Sequence, residues 1–347
     1  MDESVGPENA SSRAPALLVS QAASSARAGA SAPAGSSFVE RVAWCFDNGI
    51  RAGLRTAVWL LAIMVPVSLA VTFLAWSGLL ARMAGPLNPL FAWVGLPGET
   101  VVPFLTGVFL NIYSAIAALG TIPLTDRHVT IFAVMVLISH NFPVESAVQH
   151  KVGTPAWRTV GLRLTASLAA GLLLNWIMPA GTDAARARGL ETPSTQLAPL
   201  LWSWVVGTAW LSGKVIGIVM GLMVLQRILR EFGLIRVLSY VLFPVLWLLG
   251  LPRRTAFLWI VANVLGLAFG AAVILEEAES GGLNKKDAQL LNRSIAICHS
   301  LLEDTLLFVA IGAWAAWITL PRLAMAAAVV WMYRAACLVT SRRKLHL

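Results

Sequence analysis

Residues 138–146 read ISHNFPVES and close an apolar run that begins at His128. Residues 297–305 read ICHSLLEDT and interrupt a second such run. Each places one histidine, with an acid four or five residues further on, in a stretch otherwise suited to lipid. Pro143 has no N–H to give to the Ser139 carbonyl, and its ring clashes with that turn, so a helix is expected to break there. A broken turn at membrane depth leaves carbonyls unbonded, which is tolerable only against protein or a water-filled cavity. His140, Asn141 and Glu145 beside such carbonyls suit a cation, a proton or a polar solute. The plainer reading is a hydrogen bond to a neighbouring helix.

The composition sets the solvent. Of 347 residues, 58% are hydrophobic and 12% charged, more apolar surface than a water-soluble domain hides. The formal charge is +9, from 26 Lys+Arg against 17 Asp+Glu. The bases lie between apolar runs, as at Arg51/Arg55, Arg253/Arg254 and Arg342/Arg343/Lys344, which is the pattern of cytoplasmic loops. No basic stretch interleaved with aromatics points to nucleic acid. The three cysteines, Cys45, Cys298 and Cys337, fit no disulfide framework and no zinc or haem spacing.

A membrane helix needs about 20 apolar residues. Eight stretches qualify: Thr56–Trp76, Thr100–Leu119, His128–Val148, Val160–Met178, Leu200–Leu229, Thr255–Ile274, Leu290–Leu320 and Arg322–Leu338. Leu290–Leu320 is too long for one simple span. Leu79–Val94 and Leu234–Leu249 are too short and read as interfacial or re-entrant helices.

The chain also repeats itself. Residues 78–100, GLLARMAGPLNPLFAWVGLPGET, align with residues 233–255, GLIRVLSYVLFPVLWLLGLPRRT, at eight of 23 positions, 155 residues apart. The shared Gly-Leu-Pro, and the shared proline before it, exceed leucine bias. The two histidines are 159 apart, which fits four extra residues near EEAESGG. The expected organisation is a disordered or flexible tail (1–49), a first unit (50–178), a linker with the start of the next helix (179–204), a second unit (205–340) and a basic tail (341–347). Matching interrupted helices in two copies point to a transporter-type site between them, with inverted copies the commoner arrangement.

The candidate ligands of that site are His140, Asn141 and Glu145 from the first unit and His299, Ser300, Glu303 and Asp304 from the second. On an unbroken helix His299 and Glu303 would share a face. The plainer reading ends the helix there, with the acids at the interface. Asn111 and Asn263 lie mid-span and read as candidate ligands or, more simply, as interhelical bonds. Gly107, Gly266 and Gly270 read as sites of close helix packing. Glu276, Glu277 and Glu279 read as the solvated end of a helix.

These residues also resemble a known family. RTAVWLLAIMVPVSL, GLPGETVVPFLTG and ISHNFPVESAV in the first half, and the stretch from GLPRRTAFLW to HSLLEDTLLF in the second, resemble the nucleoside-recognition (Gate) domain family over about residues 50–335. That family includes parts of the concentrative nucleoside transporters, the channel region of the ferrous iron transport protein B, and the spore maturation proteins A and B. The resemblance implies a polytopic, permease-like membrane protein with broken or re-entrant helices. It also implies Glu99 and Thr100 as counterparts of a polar stretch near the nucleoside site.

The expectation is an all-α polytopic membrane protein of two repeats, with eight spans and two short helices, in the cell (inner) membrane with both termini cytoplasmic. Its expected partners are membrane lipid and a small polar solute or ion, not nucleic acid. Monomer and homo-oligomer both stay open, as does a metal. No cofactor is expected. No G-x-S-x-G, H-E-x-x-H or P-loop marks it as an enzyme. The expected function is a permease for a small polar solute, with a nucleoside-like compound as the named candidate. A divalent metal permease using His140, His299, Glu145 and Asp304 is the alternative. A non-transporting membrane component that binds a partner protein is the alternative of another class.

Overall fold

Ser37 opens the first helix. Its N–H donates to Glu40 Oε2 at 2.7 Å and its hydroxyl accepts from the Glu40 N–H at 3.4 Å, so two end groups of the helix are satisfied reciprocally. The helix that follows, α1, runs Phe38–Trp76. It begins inside the stretch read as tail. Its 39 residues span about 58 Å at 1.5 Å each, about twice a bilayer core. The charged N-terminal turns therefore project beyond the lipid, where Arg41 meets Glu231 at 2.8 Å.

The computed structural model describes residues 31–79, 82, 85–179, 197–279 and 281–345. Most of the expected linker lies outside them. After α1 come α2 (Asn88–Trp93), α3 (Val101–Phe109), α4 (Ile112–Leu119), α5 (Asp126–Ser139), α6 (Phe142–Lys151) and α7 (Ala156–Ile177). The second half has α8 (Leu197–Glu231), α9 (Leu234–Val241), α10 (Phe243–Leu248), α11 (Ala256–Val264), α12 (Leu267–Glu279), α13 (Lys285–Ile297), α14 (Leu301–Val309) and α15 (Ala315–Leu345). The described residues are all-helical, without strands.

Eight full spans is corrected. Among the described residues four helices are long and apolar enough to cross a membrane, α1, α7, α8 and Ala315–Val339 within α15, or up to six if each bent pair counts as one. The other four expected spans are broken, each where the chain leaves helical geometry. Leu110 and Asn111 are non-helical, and the Asn111 side chain caps α4 through the Ser114 N–H at 2.9 Å. Gly266 has φ of +82° and separates α11 from α12. The remaining breaks fall at the two histidines. The short pieces behave as interfacial helices should, with Trp93, Tyr240 and Trp247 exposed.

Local geometry recurs at the offset of 155. Gly95 and Gly250 turn with φ of +74° and +77°. Leu96 N–H donates to Phe91 O, and Leu251 N–H to Leu246 O, both at 2.9 Å. Thr100 and Thr255 each donate a hydroxyl back to a proline carbonyl, Pro97 and Pro252. Helices α1 and α8 pack most extensively and run antiparallel. A Cβ on Gly49 would fall 2.7 Å from Val224 Cα, and one on Gly53 2.7 Å from Met220 Cα, so the two backbones all but touch. Further along, Trp204 Nε1 donates to Ser68 Oγ at 3.1 Å.

Candidate functional site

The first break is made by backbone, not by proline alone. His140 is extended and Asn141 is left-handed at φ +51°. The Asn141 N–H donates sideways to Gly107 O at 2.9 Å. Pro143 then sits in the first turn of α6, where a missing N–H costs nothing. The second break has no proline and the same form. Ser300 is left-handed at φ +49°, and its N–H donates to Ala262 O at 3.1 Å. Asn141 and Ser300 are the non-glycine residues with positive φ among those described. Such strain is held in place by surrounding structure and concentrates at functional sites.

The breaks bring the two histidines together. His140 Nε2 lies 3.4 Å from His299 Nε2. Glu145 Oε1 lies 3.0 Å from the first and 3.2 Å from the second. Each ring's other nitrogen faces a carbonyl: His140 Nδ1 meets Leu137 O at 3.2 Å, and His299 Nδ1 meets Ile295 O at 2.7 Å. A carbonyl only accepts, so Nδ1 carries the hydrogen in both rings. In the neutral rings the two Nε2 lone pairs and Glu145 Oε1 then face one another. His140, Glu145 and His299 are all buried, His299 completely.

Two residues that the sequence reading passed over surround this group. Arg163 donates from Nε to Ile138 O at 2.6 Å and from NH2 to His140 O at 2.8 Å, satisfying the carbonyls freed by the break. Its NH1 reaches Glu145 Oε2 at 2.7 Å. Arg322 donates from NH2 to His299 O at 2.7 Å and lies 3.9 Å from Asp304 Oδ2. Each arginine follows its histidine by 23 residues, so the same offset that matched the histidines marks both arginines.

The other expected ligands fall around the group, not in it. Helix α13 ends before His299, so the shared face of His299 and Glu303 does not form. Glu303 Oε1 instead accepts the Tyr113 hydroxyl at 2.5 Å, across the two halves. Asn141 and Ser300 serve the site through their backbones. Asn263 donates to Trp259 O at 3.0 Å within its own helix, and Asn111 caps α4, so neither makes the expected interhelical bond in the described contacts. Glu99 is exposed, and Thr100 is spent on its turn.

A cavity of ≈ 260 Å³ lies between the halves, lined by residues that include Gln149, Thr159, Asn292 and Met332. Gln149 is one turn beyond Glu145 on α6, and Thr159 one turn before Arg163 on α7. The side-chain amide of Gln149, Thr159 Oγ1 and Asn292 Oδ1 are buried without a hydrogen-bond partner.

A family model described as Gate, nucleoside recognition, matches residues 57–154. The uncharacterized membrane protein YvoD of Bacillus subtilis (strain 168) is 30% identical over 270 residues, 77% of this chain and 86% of that protein. The chain belongs to the nucleoside-recognition Gate family. The matched Gate segment holds His140 and Glu145 and ends before Arg163. No solved structure matches the chain. As a Gate-family membrane protein the chain is transporter-like, with a buried polar group at the junction of its halves.

Proposed function

We propose that this protein is a permease, and that it moves a small polar solute or ion through the junction between two related halves. The carrying observation is the convergence of His140, Glu145 and His299 from two broken helices, with Nε2 atoms 3.4 Å apart. Ionisable groups at membrane depth are costly and mark solute or ion pathways. The antiparallel packing of α1 on α8 supports inverted halves. Two corresponding membrane helices that run in opposite directions are related by an axis in the membrane plane. The cavity one turn away, between the two halves, supplies the beginning of a path. The inner membrane and cytoplasmic termini belong to the same reading, from the basic flanks of the outer spans. We assign no enzymatic step.

A second reading has its own observation. His299 has no exposed surface, and the triad residues do not line the cavity. A membrane component that binds a partner protein needs no path. An untargeted uptake and export screen, comparing cells with and without the protein, separates the two. Solute movement that His140→Gln and His299→Gln abolish supports the permease. No change for any solute, with a co-purifying partner lost on the same substitutions, supports the second reading.

A further inference from the structure

The triad has the donor set and the spacing of a cation site. Its three atoms, two imidazole Nε2 and one carboxylate oxygen, form a triangle with edges of 3.0, 3.2 and 3.4 Å. Ligands at 2.0–2.1 Å from a tetrahedral ion stand about 3.3–3.4 Å apart, and those of a small octahedral ion about 2.8–3.0 Å. The two nitrogens sit at the tetrahedral separation. Nitrogen–nitrogen–oxygen donors select first-row transition metals; magnesium and calcium favour oxygen alone.

The surroundings are those of a ligand shell. Both Nδ1–H groups donate to carbonyls, which fixes the tautomer and aims each Nε2 lone pair inward. The second carboxylate oxygen is held by Arg163 at 2.7 Å, so Glu145 presents Oε1 alone. With three protein ligands, one position stays open for water or for the next site along a path. Arg163 also withdraws negative charge from Glu145. A site on a conduction path must bind firmly enough to be entered and weakly enough to be left.

We propose that His140 Nε2, His299 Nε2 and Glu145 Oε1 bind one divalent first-row transition-metal ion, of zinc-like chemistry, as the cargo of this protein. This rests on the permease reading for the word cargo, but not for the binding. The full chain, purified in detergent with any affinity tag removed, is equilibrated with Zn²⁺ or Co²⁺. Elemental analysis is expected to find one ion per chain. X-ray absorption of the zinc-loaded protein is expected to show two imidazoles at 2.0–2.1 Å. His140→Gln and His299→Gln are each expected to weaken binding by more than the 10–100-fold typical of an outer-shell partner. His150→Gln, at an exposed histidine beyond the triad, is expected to leave it unchanged. Stoichiometric loading without imidazole scattering overturns the site, even if the variants fail to fold. So does an absence of loading. Proteoliposomes enclosing a zinc-responsive dye test the cargo. Loading without flux keeps the site and removes the permease reading. Flux of another solute without loading keeps the permease and removes the site.

Discussion

The two histidine breaks share their local geometry and differ at the acid that follows. Each has a left-handed residue after its histidine, a sideways bond to the neighbouring helix, and an arginine on the histidine carbonyl. At the matching acid, the first half has Glu145 and the second Asp304. Glu145 touches both histidines and its arginine. Asp304 lies 3.9 Å from Arg322, against 2.7 Å between Glu145 and Arg163. One completed carboxylate is what a single shared ion needs, and the shorter acid leaves the other side as compensating charge. Similar scaffolds therefore carry unequal roles.

The largest expected effect tests that inequality. Glu145→Gln removes the counter-charge that lies 2.7 Å from a fully buried arginine, a change that costs about 3–5 kcal/mol. Asp304→Asn is expected to cost less than half as much. Thermal melts in detergent check this, and equal losses would make the acids equivalent. Next, Asp304→Glu restores the missing methylene. In the Glu145→Gln background it is expected to recover at least tenfold in Zn²⁺ affinity, about 1.4 kcal/mol. No recovery would mean that the second half cannot turn its acid inward.

The helix contacts behind the breaks offer a third test. In the first half the small pair is Gly107 with Ala115, whose Cβ a Gly107 Cβ would approach to 3.1 Å. In the second the glycine is on the other helix: a Gly270 Cβ would come 2.8 Å from Ala262 Cα. Gly270→Ala is expected to destabilise by about 1–3 kcal/mol, the usual cost of overpacking. Adding Ala262→Gly should return part of it. The smallest effect separates the left-handed residues. Serine tolerates that geometry less well than asparagine, so Ser300→Gly is expected to stabilise by about 0.5–1 kcal/mol and Asn141→Gly by less.

Much of this was legible before any coordinates. The apolar content fixed the solvent, and ISHNFPVES and ICHSLLEDT marked both breaks. The match of 78–100 to 233–255 located two turns of the same form. Three features were not legible, each for a physical reason. Arg163 and Arg322 lie far in sequence from the carbonyls they bond, so no local pattern joins them to the breaks. Pro143 bears on the first break alone, and nothing local marks the cause of the second; the sideways N–H bonds are long-range and leave no local pattern. The span count was too high because Asn111 and Gly266 interrupt runs whose average apolarity hides a single residue.

The fixed charges around the histidine pair also set how this protein meets a membrane potential. With Arg163 and Arg322 positive, Glu145 and Asp304 both ionised and both histidines neutral, these four charges cancel. Rearranging these four groups together does little net electrical work. A bound divalent ion adds two charges to a group that otherwise feels almost none, at about 2.3 kcal/mol per charge per 100 mV crossed. The loaded step would therefore be driven by voltage and the empty return would be electrically silent, so a current recorded across a planar bilayer would report the charge of the cargo.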